Sequence, residues 1–354
     1  MDNRSRLKSP SRILIIKLSA LGDIVQTLPV LDALKKTWPQ ASVDWITGEV
    51  GAGLLEGHPL LDRVIVYPRK RLGRLAKNPL SWPHLTKEIL GLKKELRLSR
   101  YDAALDLQGL FKSGIITILS GAKIKAGFDK GREFSHMFLN KRLPPYDPDK
   151  HAVLRYLDLA RTLGAHTKDI RFPLGISDTH RQMARDILGS LGIEPGRFVI
   201  LIPGTIWPTK RWVNSYFAEL AVMINKCLGL KSVVVGGSQD RAMGREIENF
   251  SKKSARDLTG KTDLKTLAAI FQLAKTAVST DTGPMHLAAA TDLKIVALFG
   301  PTAPWRTGPF GHGHKVLRRE LGCSPCFKRR CQENLCMKEI GPKEVFQAVK
   351  ELCK

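Results

Sequence analysis

The sequence predicts an α/β protein made of two similar domains, each with a parallel sheet. Short apolar segments rich in β-branched residues alternate with amphipathic segments, and this alternation occurs once in each half of the 354 residues. Polar motifs containing glycine directly follow several of the apolar segments, which is where parallel strands end and ligands bind. A chain of this length can bury two cores of ordinary size.

The first half contains four segments typical of strands. A helix near Ile24 to Thr37 follows the first of them, a basic helical stretch separates the third from the fourth, and the helix HAVLRYLDLARTLG closes this half. The four segments are RILII, ASVDWIT, RVIVYP and YDAALDL. The segment RFPLGISD, Arg171 to Asp178, combines Pro and Gly with few helical signals and is the predicted linker.

The second half repeats the alternation and ends in a helix. Helices are predicted from about Thr179 to Leu191, from Val213 to Cys227, through Arg245 to Phe250 and from Pro342 onward. The predicted strands between them are FVILI, SVVVGG, TAVS and IVALFG. The predicted domains are therefore residues 1–174 and 175–340, followed by a C-terminal helix in residues 341–354.

Two motifs in the second half have the chemistry of a phosphate site. PGTIWPTKRW follows FVILI and offers the Thr205 hydroxyl and the Lys210 ammonium, whereas STDTGPMHLAAA follows TAVS and offers Asp281, Thr282 and Gly283 at the start of a helix. Backbone N–H groups at a helix start, together with a cation, suit a diphosphate. The alternative is that Asp-Thr-Gly only caps the helix and that the lysine is solvated.

A third motif, KLSALGDIVQTLP, follows the strand RILII and opens the first helix. It carries Asp23 directly after Gly22, which lets a ligand approach the backbone closely. Taken alone, the local sequence favours Asp23 as a capping residue over Asp23 as a carboxylate base.

Together, the three motifs resemble glycosyltransferase family nine, the ADP-heptose:lipopolysaccharide heptosyltransferases. The resemblance covers nearly the whole chain, since LDLQGLFKSG, HAVLRYLDLA, LFGPTAPWRTGPFG and CSPCFKRRC follow in the family's order. TLPVLDALKKTWP and VDWITGE are nearer to heptosyltransferase I, whereas the cysteine-rich tail is more usual in members like types II and III.

The resemblance implies two Rossmann-like domains that face an interdomain cleft (GT-B type). The implied activity is inverting, metal-independent transfer of heptose from ADP-L-glycero-D-manno-heptose to the Kdo- or heptose-bearing inner core of lipopolysaccharide, without a cofactor. It also implies that the C-terminal helix packs toward the first domain. The alternatives are another nucleotide sugar, a later core acceptor, or a basic binding protein without catalytic activity.

The resemblance also assigns roles to residues. Asp23 corresponds to the catalytic base, Thr205 and Lys210 to phosphate contacts, and the turn Asp281–Thr282–Gly283 to the nucleotide-sugar site. His286 either reaches the sugar or is a packed core histidine. The basic residues that match the acceptor region are Arg69, Lys70, Arg71, Lys112 and Arg132, for which solvated surface charge is the alternative.

The net charge of +24 is concentrated in two regions. Eleven Lys and Arg against two Glu lie between Arg63 and Arg100, and eight against three lie between Lys315 and Lys343. Such regions suit an anionic substrate, an anionic membrane surface or nucleic acid. Nucleic acid is disfavoured because only Tyr67 and Trp82 are available for stacking in the first region. Kdo-lipid A, with its carboxylates and phosphates, fits the charge.

The sequence predicts a cytoplasmic protein, peripheral at the cytoplasmic face of the inner membrane. No run of 18 apolar residues is present, and no apolar core follows the charges of MDNRSRLKSPSR. Six cysteines do not make a secreted disulfide scaffold in a chain of this length. No metal is expected, although the four cysteines in C-x2-C-x4-C-x4-C, namely Cys323, Cys326, Cys331 and Cys336, leave structural zinc as an alternative.

Overall fold

The computed structural model describes residues 9–129, 131–143 and 147–354. The chain forms two compact units, Met1–Gly175 and Ile176–Lys354. The division falls inside the predicted linker.

The first unit contains a six-stranded parallel sheet in the order β3-β2-β1-β4-β5-β6. Its strands are β1 Arg12–Ile16, β2 Ser42–Thr47, β3 Arg63–Val66, β4 Ala103–Asp106, β5 Ile124–Phe128 and β6 Lys141–Leu143. The central strands are apolar on both faces because helices cover the sheet, as parallel sheets require.

Six α-helices connect these strands and close the unit. They are α1 Leu21–Thr37, α2 Glu49–Leu55, α3 Arg69–Lys77, α4 Trp82–Leu98, α5 Phe111–Leu119 and α6 Ala152–Leu163. Short 3-10 segments lie at Pro79–Ser81 and Arg132–Phe138. The predicted basic helical stretch forms two helices, because the chain turns at Asn78 and Pro79. The Asn78 side chain accepts a hydrogen bond from the Leu80 amide at this turn.

The second unit has the same strand order, β12-β11-β10-β7-β8-β9, again with parallel pairing throughout. The strands are β7 Phe198–Ile202, β8 Lys231–Val234, β9 Ala255–Asp257, β10 Thr276–Thr280, β11 Ile295–Phe299 and β12 Lys315–Arg318. When β7 is matched with β1 and the later strands follow in chain order, the second sheet has the same strand order as the first. The shared order is that of the Rossmann fold.

The helices of the second unit complete the repeated pattern. They are α7 Asp178–Ser190, α8 Asn214–Leu228, α9 Arg241–Phe250, α10 Leu264–Gln272, α11 Gly283–Ala289, α12 Pro304–Thr307, α13 Leu335–Lys338 and α14 Pro342–Leu352, with 3-10 turns at Pro208–Lys210 and Ser238–Asp240. The structure confirms the prediction of two α/β domains, each with a parallel sheet.

The C-terminal helix α14 packs within the second unit, against α8, β10 and β11. Its buried residues Val345, Phe346 and Val349 join the core that Val199 and Leu201 of β7 help to form. The apolar face of α14 therefore covers the sheet of its own unit, and the packing of this helix toward the first domain stays a prediction.

Both sheets reverse their strand order at one place. The reversal lies between β1 and β4 in the first unit and between β7 and β10 in the second. At such a switch point the loops leaving the carboxyl ends of the two strands diverge and open a crevice for a ligand. All three predicted motifs begin on these loops.

Candidate active site

The turn between β1 and α1 holds Asp23. Asp23 is the third residue of α1, and its Oδ2 accepts a hydrogen bond from the Ala20 amide at 3.1 Å. Its Oδ1 accepts a bond from the Tyr156 hydroxyl of α6 at 3.3 Å. A carboxylate accepts about four hydrogen bonds, so both oxygens keep capacity for a substrate hydroxyl. Capping and proton acceptance are therefore compatible in this residue.

A buried cation lies under the same turn. Lys17, which is 3% exposed, donates from Nζ to the Leu107 carbonyl and to the Tyr156 hydroxyl, both at 2.8 Å. Burial lowers the pKa of Lys17, and the nearby carboxylates Asp23 and Asp106 act in the opposite direction. Tyr156 thus bridges a buried ammonium and the Asp23 carboxylate, which fixes the position of the carboxylate.

The loop after β4 supports the turn from the other side of the switch point. The fully buried carboxylate of Asp106 accepts hydrogen bonds from the Gln108 and Gly109 amides at 3.0 and 2.9 Å and from the Ser113 hydroxyl at 2.9 Å. Burial raises the pKa of Asp106 to about 6, against the effect of these hydrogen bonds. Gln108 Oε1 in turn accepts bonds from the Leu18 and Ser19 amides at 3.0 Å.

The predicted donor residues come together at the second switch point. Lys210 Nζ lies 2.7 Å from Asp281 Oδ2, and both side chains are largely buried. The Thr302 hydroxyl, on the loop after β11, donates to the same carboxylate oxygen at 2.6 Å, and the Thr205 hydroxyl donates to the Asp281 carbonyl at 3.4 Å. Three loops are thus joined around one carboxylate and one ammonium.

An aromatic ring beside this cluster carries two cations. Lys210 Nζ lies 4.6 Å from the centre of the Trp207 ring, and the Arg329 guanidinium lies 4.8 Å from it. Cation–π contacts of this kind hold positive charge in place without neutralising it. Arg329 belongs to the second basic region of the sequence, so part of that charge lies beside the Lys210–Asp281 pair.

The remaining donor candidates lie at the start of α11. Thr282 is the N-cap residue, Gly283 the first helical residue and Pro284 the second. His286 is 8% exposed, so its burial favours the alternative of a packed core histidine.

The predicted acceptor residues open α3 and α5 in the first unit. Lys70 pairs with Glu49 at 3.3 Å and Arg71 with Glu88 at 2.6 Å. Arg132 begins the 3-10 segment that follows β5. Arg69 and Lys112 both line a cavity of about 650 Å³.

Comparison with known proteins decides the family. The family model for glycosyltransferase family 9 (heptosyltransferase) matches residues 89–337, which is more than half of the chain. The chain belongs to glycosyltransferase family 9. Lipopolysaccharide heptosyltransferase 1 of Pseudomonas aeruginosa is 30% identical over 94% of this chain and 96% of its own length. Lipopolysaccharide heptosyltransferase 2 of Salmonella typhimurium is 30% identical over 88% of this chain and 89% of its own.

Solved structures of the same family share the fold. Escherichia coli ADP-heptose lipopolysaccharide heptosyltransferase II superposes with a TM-score of 0.76 at 25% identity, covering 97% of this chain and 98% of that one. E. coli heptosyltransferase WaaC with ADP gives 0.76 at 25% identity, covering 96% and 99%. The predicted GT-B fold class is confirmed, and the protein is an enzyme, which removes the non-catalytic alternative.

The four cysteines are free thiols in this family 9 enzyme, and structural zinc held by them stays a prediction. Among residues 9–129, 131–143 and 147–354, no three His, Cys, Asp or Glu side chains group so as to hold a metal ion. Burial, followed by the neighbouring thiols of Cys326, Cys323 and Cys331, raises the pKa of Cys336. Cys331 instead accepts a hydrogen bond from the Asn334 amide at 3.4 Å.

The sequence did not predict the residues that hold the candidate site residues and their loops in position. Tyr156 and Thr302 lie inside motifs that the resemblance quotes, HAVLRYLDLA and LFGPTAPWRTGPFG, yet neither has a local signature, because each meets its partner across more than 20 residues of chain. Lys17 and Gln108 are missed for the same reason. In the part of the chain that the structure describes, no helix is both long and apolar enough to cross a bilayer.

Proposed function

We propose that this family 9 glycosyltransferase transfers heptose from ADP-L-glycero-D-manno-heptose to the Kdo-bearing inner core of lipopolysaccharide, with inversion at the anomeric carbon. The observation that carries the proposal is the pair of switch-point clusters. One holds a carboxylate with free acceptor capacity, and the other holds buried cationic and hydroxyl groups suited to a diphosphate. The names of the relatives support heptose and ADP as the donor components.

The donor side is assigned to the second unit. The diphosphate of the nucleotide sugar accumulates negative charge as its bond to the sugar breaks, and Lys210 with Arg329 stabilises that charge. Thr205 and the turn Asp281–Thr282–Gly283 hold the phosphates and the sugar, and Asp281 keeps Lys210 in place at 2.7 Å before the donor binds. His286 supports the helix that carries this turn.

The base is assigned to the first unit. Asp23 accepts the proton of the attacking acceptor hydroxyl while the oxygen bonds to the anomeric carbon, and ADP leaves with the electron pair of the broken bond. Attack on the face opposite to ADP inverts the configuration. A carboxylate that is ionised at neutral pH is a weak base, so it assists mainly as the hydroxyl becomes acidic in the transition state.

Acceptor binding is assigned to the basic residues of the first unit. Arg69, Lys70, Arg71, Lys112 and Arg132 recognise the carboxylates of Kdo and the phosphates of lipid A, for which guanidinium groups form paired hydrogen bonds. The same charge attracts the enzyme to the anionic cytoplasmic face of the inner membrane, where it acts as a peripheral protein. No nucleic acid partner is proposed.

Two further activities compete within the family. The relatives include both heptosyltransferase 1 and heptosyltransferase 2, so the acceptor is either a Kdo-terminated core or one that already carries a heptose. The wording of TLPVLDALKKTWP and VDWITGE favours the first. A different nucleotide sugar is the second competitor.

Mass spectrometry of the product separates these activities. The purified protein is incubated with ADP-heptose and, in separate reactions, with a Kdo-terminated acceptor and its monoheptosylated form; GDP- and UDP-sugars serve as donor controls. We expect one heptosyl residue to be added to the Kdo-terminated acceptor. Addition only to the heptosylated acceptor moves the enzyme to the second step, and turnover only with another nucleotide sugar overturns the donor assignment.

A further inference from the structure

A cavity in the first unit is lined by none of the residues that form the cluster at the switch point between β1 and β4. It has a volume of about 650 Å³, within the range of about 300–1,000 Å³ that small-molecule sites occupy. β3, α3, α4 and α5 surround it, and its walls are mainly apolar, including Ile65, Leu72, Ala76, Leu85, Leu92 and Ile116. An apolar space of this size calls for an apolar occupant.

The two helices that cover the cavity are poorly buried. No residue of α3 is fully buried, and in α4 only Leu96 is. Leu80 and Trp82, where the two helices meet, are 87% and 56% exposed. An amphipathic, basic element with exposed Leu and Trp is typical of a protein surface that meets a bilayer interface.

The mouth of the cavity is positively charged. Its carboxylates Glu88 and Glu95 are each paired with an arginine, Arg71 at 2.6 Å and Arg63 at 3.7 Å. Arg69 and Lys112 also line the cavity, but within the described ranges neither has a carboxylate partner closer than 4 Å.

These two cations are close enough to affect each other. Burial first, and then the charge of Arg69, lower the pKa of Lys112, and the carboxylate of Glu133 acts in the opposite direction. A bound anion relieves this repulsion, so the mouth favours a negatively charged group. The cavity therefore combines an anion site with an apolar space behind it, which together match an anionic lipid.

We propose that this cavity binds one acyl chain of the acceptor's lipid anchor, with a phosphate of that anchor held between Arg69 and Lys112. The inference rests on the proposed function, which places the acceptor at these same cations. Acyl binding would orient the sugar end of a membrane-embedded acceptor, and the exposed Leu80 and Trp82 would meet the bilayer from which the chain enters. The enzyme would then distinguish acylated from deacylated acceptors.

Filling the cavity tests the proposal without disturbing the catalytic residues. Gly73 of α3 and Gly91 of α4 both line the cavity, and an added Cβ at either meets no atom within 4 Å. Gly73→Leu/Gly91→Leu also replaces two helix-interior glycines with a strong helix former, which favours folding. Ala76→Phe is a second filling variant, and Gly189→Leu in α7, where a Cβ likewise meets nothing, is the matched control.

The first measurement is the acceptor KM with acylated and deacylated acceptors in the same detergent. We expect the wild type to have an at least tenfold lower KM for the acylated acceptor, roughly the effect of burying two methylene groups. The filled variants should lose most of this preference, with the KM for the deacylated acceptor unchanged. Equal KM values in the wild type, or an undiminished preference in the filled variants, would overturn the proposal.

The second measurement is direct binding of dodecyl phosphate by calorimetry, with inorganic phosphate for comparison. We expect dodecyl phosphate to bind the wild type at least tenfold more tightly than inorganic phosphate, and the filled variants and Lys112→Ala to bind it more weakly than Gly189→Leu does. Equal binding of the two phosphates would contradict the acyl site.

The two measurements also separate this inference from the proposed function. If dodecyl phosphate binds in the cavity but no lipopolysaccharide acceptor is glycosylated, the proposed function fails and so does the identity of the lipid, whereas the acyl site itself stands. If filling the cavity weakens binding to phosphatidylglycerol vesicles but leaves the acyl preference intact, the occupant is a bilayer phospholipid and the acceptor assignment is wrong.

Discussion

Asp106 supports the turn after β1, because it binds the loop whose Gln108 accepts hydrogen bonds from that turn. It is fully buried, and its pKa is raised to about 6 because burial opposes the charged form. Between about pH 4 and pH 6 the folded protein therefore holds a proton on Asp106 that the unfolded chain has lost. Asp106 thus contributes stability at low pH that disappears as the pH rises through 6.

Asp106→Asn isolates this contribution. Asn keeps an oxygen acceptor for the Gln108 and Gly109 amides, and its amide can donate to the Ser113 hydroxyl. We expect the free energy of unfolding of the wild type, relative to the variant, to fall by about 3 kcal/mol between pH 4 and pH 7, because a shift of about two pKa units has this value. Urea unfolding of both proteins across this range measures it, and a difference independent of pH contradicts the assignment.

Lys210 is the residue that we propose to contact the diphosphate of the donor most directly. Lys210→Ala removes an ammonium held 2.7 Å from Asp281, and we expect ADP binding to weaken by about 1.5–3 kcal/mol, the contribution of a charge-assisted hydrogen bond. Calorimetry with ADP measures the change, and Lys226→Ala on the exposed face of α8 is the control. An unchanged affinity in both Lys210→Ala and Asp281→Ala would place the nucleotide elsewhere.

Individual site residues were predictable from sequence only where a local motif carried them. Lys210 and Asp281 stood at strand ends, and the structure joins them in one ion pair. Trp207 lay inside a quoted motif, but its position between Lys210 and Arg329 depends on two loops that are more than 100 residues apart. Contacts between distant segments have no signature in one sequence.

The elements were easier to predict than their contacts. Period-two and period-3.6 patterns identified the strands and helices, and the helix over α8 differs from the predicted Val213 to Cys227 by one residue at each end. The helix α9 begins four residues before the predicted Arg245, because a 3-10 turn at Ser238–Asp240 leads directly into it. The packing of α14 on the sheet of its own unit was not predicted, since an apolar helix face does not indicate which sheet it covers.

The packing of α14 gives a prediction at this scale. Phe346 is 6% exposed in the core of the second unit, so Phe346→Ala should destabilise that unit by about 3–5 kcal/mol. Gln347→Ala, on the exposed side of the same helix, should change stability by less than about 0.5 kcal/mol. Hydrogen exchange resolved by segment measures both, and loss of protection that spares β10 and β11 would contradict the observed packing.

At the scale of the whole molecule, the main feature is the distribution of its positive charge. Much of the net +24 lies on α3 and α4, where exposed side chains outnumber buried ones, so it is available to a partner rather than to the core. Charge totals could be read from the sequence, but not the fact that Lys70 and Arg71 are each paired with a glutamate.

Charge reversal separates substrate binding from general attraction. Arg69→Glu/Lys70→Glu/Arg71→Glu should raise the acceptor KM strongly and the donor KM hardly at all, even with a soluble, deacylated acceptor. The control Arg185→Glu/Lys226→Glu/Lys231→Glu changes the net charge equally on exposed positions of the second unit. Added salt should also raise the wild-type acceptor KM, because the Debye length falls to about 8 Å at physiological strength. An acceptor KM unaffected by the first triple variant would leave only membrane attraction for these residues.

We propose that the turn after β1 supplies the catalytic base and that the loops after β7 and β10 bind the donor. Asp23→Asn tests it most directly, because Asn retains an acceptor for the Ala20 amide and so keeps the start of α1 intact. Turnover with ADP-heptose and its acceptor is measured together with ADP affinity by calorimetry. The account predicts that kcat falls by roughly two to four orders of magnitude, the range for loss of a general base, while ADP affinity is unchanged. Near-normal turnover of the folded variant would contradict it.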